Sequence, residues 1–150
     1  MTGRGNARPV QAVDAEAWIR LRTELWPESP HDHPVEVTSY FEAPPGRAAC
    51  FVVEDGSGAV VGFAEVGLRS YAEGCVSSPV GYLEGIYVAP GARRVGHARS
   101  LAASCEAWSQ SMGCREFASD RAIDNEVSSA LHEALGFEEA ARLVCYRKAL

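Results

Sequence analysis

Leu83-Glu84-Gly85-Ile86-Tyr87-Val88-Ala89-Pro90-Gly91-Ala92-Arg93-Arg94-Val95-Gly96-His97-Ala98 is the stretch on which the reading of this chain turns. It opens as the apolar run of a strand and is broken by Pro90-Gly91. From Ala98 to Met112, Leu101, Ala102, Cys105, Trp108 and Met112 recur at helical spacing, and Gly113 stops the helix. A strand, a turn and a helix in that order aim free backbone N–H groups and the positive end of a helix dipole at one point. Such a point binds anions, most naturally a phosphate or pyrophosphate. Gly96 and Ala98 leave room for phosphates to approach the backbone, and Arg93, Arg94 and Arg99 add charge at the rim. No Gly-Lys-Ser/Thr follows, which excludes a nucleoside-triphosphate P-loop, and the three-glycine dinucleotide fingerprint is absent. The plainer alternative is a basic, solvated turn that caps a helix.

The rest of the chain bounds what this turn can serve. Its 150 residues fit one domain, residues 1–150, with Met1 to Asn6 as a frayed end. No apolar run approaches the roughly 20 residues of a membrane span, and no signal-peptide core is present at the N-terminus, so no membrane partner and a cytoplasmic location are expected. Cys50, Cys75, Cys105, Cys114 and Cys145 are odd in number and lack CxxC spacing, which favours reduced thiols and no metal site. A formal net charge of −6 disfavours nucleic acid and suits a cationic small molecule or basic peptide.

Outward from the anion turn, the pattern predicts a mixed α/β sheet with helices on both faces. Arg8 to Val13 reads as a short first strand. Asp14 stands as the N-cap of a helix carrying Trp18, Leu21, Arg22 and Leu25, which Trp26-Pro27 ends. Glu28 to Pro34 reads as a polar loop and Val35 to Phe41 as a short helix. Ala48 to Glu54 and Val60 to Leu68 are strands joined by the hairpin signal Asp55-Gly56-Ser57-Gly58. Ser70 to Pro79 is a loop, Tyr82 to Val88 and Glu116 to Ser119 are strands, and Asp124 or Asn125 opens a helix that Gly136 closes. Phe137 to Arg147 is expected as the last strand, broken near Glu139.

The turn Arg93-x-x-Gly96-x-Ala98, after a hydrophobic strand and a proline, resembles the coenzyme A pyrophosphate loop of the GNAT superfamily of N-acetyltransferases. The element order matches the layout of that superfamily, an α+β fold with a central, mostly antiparallel sheet flanked by helices. A narrower likeness extends from Arg22 onward and is firmest over Val61 to Leu150. It is carried by Leu25-Trp26-Pro27, Gly74-Cys75-x-Ser77-Ser78-Pro79, Leu83-Glu84-Gly85, Gly113-Cys114-x-Glu116-x-Ala118-Ser119-Asp120, Asn125, His132-x-Ala134-Leu135-Gly136-Phe137 and Tyr146-Arg147-Lys148. These residues are similar to those of the aminoglycoside 6′-N-acetyltransferases of the chromosomal type of enteric bacteria and Acinetobacter.

That resemblance implies acetyl transfer from acetyl-CoA, a co-substrate, to the 6′-amine of a polycationic sugar, with no metal and with a homodimer as the working form. An amine must lose a proton to become a nucleophile, so a carboxylate, or a water held by one, belongs at the acceptor site. Glu84 lies in an otherwise apolar strand where burial would raise its pKa, and Asp120 ends a short strand expected beside it. By resemblance both face the acceptor amines, Glu84 as the leading proton acceptor and Asp120 as amine binder or second base; a pair of salt-bridged strand-end carboxylates is the alternative. Trp26 and Tyr71 match aromatic walls of the acceptor site, although a Trp before a proline at a helix end also reads as packing. Ile86, Tyr87 and Val88 match positions whose main chain pairs with the pantetheine arm, and a main-chain N–H there can hydrogen-bond the thioester oxygen. Arg94, Val95, Gly96, His97, Ala98 and Arg99 match the pyrophosphate cradle. Asn125 matches a coenzyme-binding residue and also reads as an N-cap.

Two departures from the wider pattern stand out. Where many GNAT enzymes place a tyrosine that protonates the departing thiolate, this chain has His132, which leaves the general acid unnamed between His132, no acid at all, and a plain helix-surface histidine. Ala141 replaces a glutamate that often precedes the arginine represented by Arg142, and Glu138 and Glu139 are nearby substitutes. His31-Asp32-His33 reads as a solvated loop rather than a metal site, with Asp32 available to a negative rim. The competing functions are a GNAT enzyme for another amine and a coenzyme- or drug-binding protein without turnover.

Overall fold

Alternation along β2 sends Val52 and Val53 to opposite sides of the sheet, and each meets a different layer of helix. The computed structural model describes residues 5–150. Of the expected frayed end Met1–Asn6, residues 1–4 lie outside the described residues; Gly5 and Asn6 belong to no helix or strand. The chain runs β1 (Arg8–Pro9), a short 3-10 turn (Ala12–Asp14), α1 (Ala15–Leu25), α2 (Asp32–Glu42), β2 (Ala48–Glu54), β3 (Val60–Arg69) and β4 (Val80–Val88). After a 3-10 turn at Pro90–Ala92 come α3 (His97–Ser111), β5 (Phe117–Ser119) and α4 (Glu126–Ala134).

The strands form one sheet in chain order, antiparallel from β1 to β4, with β5 parallel to β4. On one face α1 and α2 bury Trp18, Leu21 and Val37 against Val52 and Phe63. On the other, α3 lays Leu101 and Cys105 on Val53, Ala64, Val66 and Leu83. Each large apolar side chain so covered contributes about 1.5–3 kcal/mol. Cys50, Cys105 and Cys114 are buried, Cys75 is half-buried and Cys145 exposed, all as free thiols. Burial pushes the Cys105 thiol up to about 12, which marks it as an unreactive core residue.

The sheet's register shifts between Val53 and Glu54 of β2 and again in its centre, between Glu65 and Val66 of β3. Glu65 pairs with Gly85 and Val66 pairs with Leu83, so Glu84 is an extra residue on β4 without a partner on β3. A bulge of this kind bends the strand and re-aims its side chain. Pairing between β4 and β5 stops at Leu83–Ser119, and beyond it the main chain from Glu84 to Val88 has no strand on its β5 side.

Several expectations are corrected. Asp14 stands at the N-cap of α1, but its side chain makes no capping bond there; its carboxylate takes the Arg8 guanidinium at 2.7 and 3.0 Å and the Gln11 N–H at 2.8 Å. Residues Arg8 to Val13 give a strand of Arg8–Pro9 only, because the chain turns at Ala12. The second helix starts at Asp32 rather than Val35, since Pro34 falls in its first turn, where proline is tolerated. The loop read at His31-Asp32-His33 is therefore partly helical, and His33 is buried rather than solvated. Phe137 to Arg147 is not a strand: residues 138–150 carry no regular structure, and Leu143, Val144 and Tyr146 are exposed.

Candidate functional site

The anion turn is built as its sequence requires. Gly96 takes φ 93° as the N-cap of α3, and Arg94 also adopts a left-handed φ of 66°. The first bond of the helix runs from the Ser100 N–H to the Gly96 carbonyl, so the N–H groups of His97, Ala98 and Arg99 have no partner within the helix and point out of its positive end. The arginines divide their work. Arg93 Nε donates to the Val88 carbonyl at 2.8 Å and lies over the Tyr87 ring, while Arg99 donates to the Ala134 carbonyl at the end of α4. Two of the three rim arginines thus brace neighbouring elements, and the backbone supplies most of the cradle.

Between this turn and the bulge runs the open edge of β4 at Ile86, Tyr87 and Val88, the place where an extended arm could add as a strand. Asn125 is the N-cap of α4, its Oδ1 accepting from the Ser128 N–H at 3.0 Å. That satisfies the capping role and leaves its amide NH₂ for a ligand. His132 is no surface histidine. Its Nε2 lies 2.8 Å from Ser119 Oγ, and that hydroxyl bonds the Leu83 carbonyl where β4 and β5 part. The Nδ1 side faces the Ser128 carbonyl at 2.7 Å and the Ser128 hydroxyl at 3.2 Å.

On the opposite side of β4, a cavity of about 290 Å³ is lined by Arg22, Trp26, Ser29, Asp32, His33, Glu36 and Glu84. Trp26 is seated directly on Gly85: a Cβ there would come within 2.5 Å of the indole ring. Its position is held from behind by a buried ionic cluster. Arg22, packed at 5.2 Å from the Trp26 ring, donates to Glu65, Glu36 and His33, while His33 Nε2 bonds the Trp26 carbonyl at 2.9 Å. Glu65 also accepts from Trp18 Nε1. Burial pushes the Glu65 carboxyl above its usual range, and Arg22 and Trp18 pull it partly back.

Glu84 is not buried, contrary to expectation; the bulge turns it outward, its side chain is 39% exposed, and Arg69 holds both its oxygens, at 3.1 and 2.8 Å. The same guanidinium lies 3.5 Å from the centre of the Tyr82 ring, whose hydroxyl donates to Asp120 at 2.7 Å. Glu84 and Asp120 are therefore joined through Arg69 and Tyr82. Burial, then the bond to Asp120, raises the Tyr82 hydroxyl well above its usual range, so it stays a donor. Tyr71 does not join the cavity; it is exposed on the loop after β3 and bonds Glu73 at 3.1 Å.

Sequence and fold together match known proteins closely. Residues 15–137 match the model of the Acetyltransferase (GNAT) family. The aminoglycoside N(6′)-acetyltransferase type 1 of Serratia marcescens is 50% identical over 90% of this chain and 92% of its own length. The protein of the same name from Klebsiella aerogenes is 41% identical over 95% of both chains. The solved structure of AAC(6′)-Iy in complex with the bisubstrate analog CoA-S-monomethyl-acetylneamine superposes with a TM-score of 0.90 at 39% identity, covering 99% of this chain and 100% of that one.

The chain belongs to the GNAT family, among the aminoglycoside 6′-N-acetyltransferases.

It is accordingly an acetyl-CoA-dependent acyltransferase. Among the described residues no helix is long and apolar enough to cross a membrane. Of the residues expected at the acceptor site, Trp26 and Glu84 line the cavity, Asp120 meets Glu84 only through Tyr82 and Arg69, and Tyr71 stands apart. Sequence reasoning passed over Arg69, Tyr82, Glu36 and the Arg22–Glu65 pair. Only Arg22 gave a signal, as a charge inside an otherwise apolar helical stripe.

Proposed function

We propose that this enzyme acetylates the 6′-amine of aminoglycosides by direct attack within a ternary complex. The observation that carries the proposal is the placement of Glu84 on the β4 bulge, beside the Trp26 ring and immediately before the unpaired edge at Ile86–Val88. The pyrophosphate sits on the backbone N–H groups of Val95 to Arg99 with Arg94 at its rim, and Asn125 steadies the coenzyme from α4. The pantetheine arm pairs with Ile86, Tyr87 and Val88, which brings the thioester carbonyl to the split, where a main-chain N–H receives the developing oxyanion.

On the acceptor side Trp26 stacks on the sugar ring, Tyr71 closes over it from its loop, and Glu84 and Asp120 take its ammonium groups. Glu84 accepts the proton of the 6′-ammonium, directly or through water. The freed lone pair forms the C–N bond as the C–S bond breaks, and coenzyme A leaves as a thiolate that takes up a proton. Residues 1–150 work as one domain. Free thiols at every cysteine fit a reducing, cytoplasmic setting.

The test is thiol release from acetyl-CoA with kanamycin or tobramycin beside paromomycin, which bears a 6′-hydroxyl. Turnover with the amines and none with paromomycin is expected, and Glu84→Gln should lower it by about 10²- to 10⁴-fold while acetyl-CoA still binds. Turnover with all three drugs means a different position is acetylated. Silence with all three, with acetyl-CoA bound, transfers the reading to another amine such as a polyamine or peptide.

The working form is a homodimer. Residues 138–150 present Leu143, Val144, Tyr146 and Leu150 to solvent, apolar side chains that a second copy would cover. Sedimentation at micromolar concentration should give twice the 16.1 kDa chain mass; a monomer throughout removes this part of the proposal.

A further inference from the structure

The proposed base is already occupied. Both hydrogen bonds that Arg69 makes go to Glu84, one to each carboxylate oxygen, which is the fork-on-fork geometry of the strongest arginine–carboxylate pairs. Yet nothing locks the arginine in place. Arg69 is the last residue of β3, its side chain is 43% exposed, and its remaining contact is the flat face of Tyr82, along which a guanidinium can slide. Tyr82 is itself fixed, buried at 7% exposure and bonded to Asp120. One cation therefore stands between the two carboxylates assigned to the acceptor's ammonium groups.

We propose that Arg69 is a specificity-determining residue, an internal counter-cation that holds Glu84 until an ammonium group of the acceptor replaces it. The argument rests on the acceptor-site reading of Glu84 given above. Once an acceptor fills the site and displaces its water, a carboxylate stripped of a bidentate partner must be paired again or left bare and dry, and that costs more than the exposed pair was worth. Only a cation can make that exchange evenly; a neutral hydroxyl cannot. Among acceptors that present a cation to Glu84 the cost of the exchange is the same, so those with further ammonium groups for Asp120, Glu36 and Asp32 recover it elsewhere, and an acceptor with a neutral group there does not.

The experiment is a double-mutant cycle on acceptor binding, read as the Kd of kanamycin by titration calorimetry with coenzyme A present. Arg69→Met keeps the stem on Tyr82 and removes the charge; it should tighten kanamycin about three- to tenfold. The KM for kanamycin should fall in step, with the KM for acetyl-CoA unchanged. In the Glu84→Gln background the same substitution should give no more than Arg47→Met, which removes a charge from the rim of the adjoining depression and measures the general Coulomb gain. Weaker kanamycin binding in Arg69→Met, or a gain that persists undiminished beside Gln at position 84, overturns the proposal. If Glu84→Gln alone leaves kanamycin binding and turnover untouched, it is the acceptor-site reading that fails, and this inference falls with it.

Discussion

Two arginine–glutamate pairs border the cavity beside Trp26, and they are built to opposite ends. Arg22 and Glu65 are sealed: their side chains are 9% and 17% exposed, Trp18, Trp26 and His33 pack around them, and of the Arg22 partners only Glu36 reaches solvent. Arg69 and Glu84 are 43% and 39% exposed and share only a tyrosine face. The chemistry of the pairs is the same, but water is not. In the sealed pair neither charge can leave without stranding the other, so it serves as a frame beneath Trp26. In the open pair solvent pays for separation, so it can exchange. Burial decides which pair is fixed and which can part, and the proposed acceptor site draws on both, a rigid wall and a replaceable counter-charge.

The largest effect should come from breaking the frame. Arg22→Met leaves Glu65 buried without its cation and should cost about 3–5 kcal/mol of stability, read as a shift of the urea midpoint. That cost is pH-dependent with a definite sign. Burial already raises the Glu65 carboxyl, and Arg22 is the chief opposing influence, so the variant's folded pKa rises further above the unfolded value. A raised folded pKa favours the folded state below the ordinary carboxylate range and loses that favour as pH climbs through the folded pKa. The deficit of Arg22→Met should therefore be small near pH 4 and widen toward pH 7. Should the variant not fold at neutral pH, Arg22→Met with Glu65→Gln removes the stranded charge and should recover much of the loss. A deficit that is flat with pH, or no recovery in the double variant, would show that Arg22 acts by packing alone.

The sequence made some of this legible. Gly96 after a basic turn announces a left-handed helix cap, because few other residues accept that φ, and Pro90-Gly91 marks the end of β4 locally. Trp18, Leu21 and Arg22 share a helical stripe, so the buried arginine was visible in position if not in purpose. Trp26 and Glu84 could be assigned to the acceptor side through resemblance, but the seat of Trp26 on Gly85 could not be read from it. What could not be read depends on register and on long side chains. Whether Glu84 is buried or turned out is decided by a bulge between β3 and β4, a property of two strands and not of either sequence. Arg69 reaches Glu84 from the neighbouring strand, fifteen residues earlier in the chain, and no local pattern records that meeting. Phe137 to Arg147 has the composition of a strand, but a strand exists only beside another, and none in this chain lies there.

The smallest effect sharpens the comparison from the other side. If Arg69 is exchangeable, the folded state cannot depend on it: Arg69→Met should change stability by only about 0.2–1 kcal/mol, as exposed pairs do. Salt gives a second reading of the same contrast, since the open pair is screened over about 8–10 Å at ordinary ionic strength whereas the sealed pair is shielded from it. Raising salt should therefore shrink the small Arg69→Met effect toward zero and leave the Arg22→Met deficit nearly intact. The decisive comparison is between the two methionine variants in the same denaturant series. Deficits of equal size would mean that Arg69 is a structural brace, and Glu84 would then be a carboxylate committed to the fold and not one held ready for an amine.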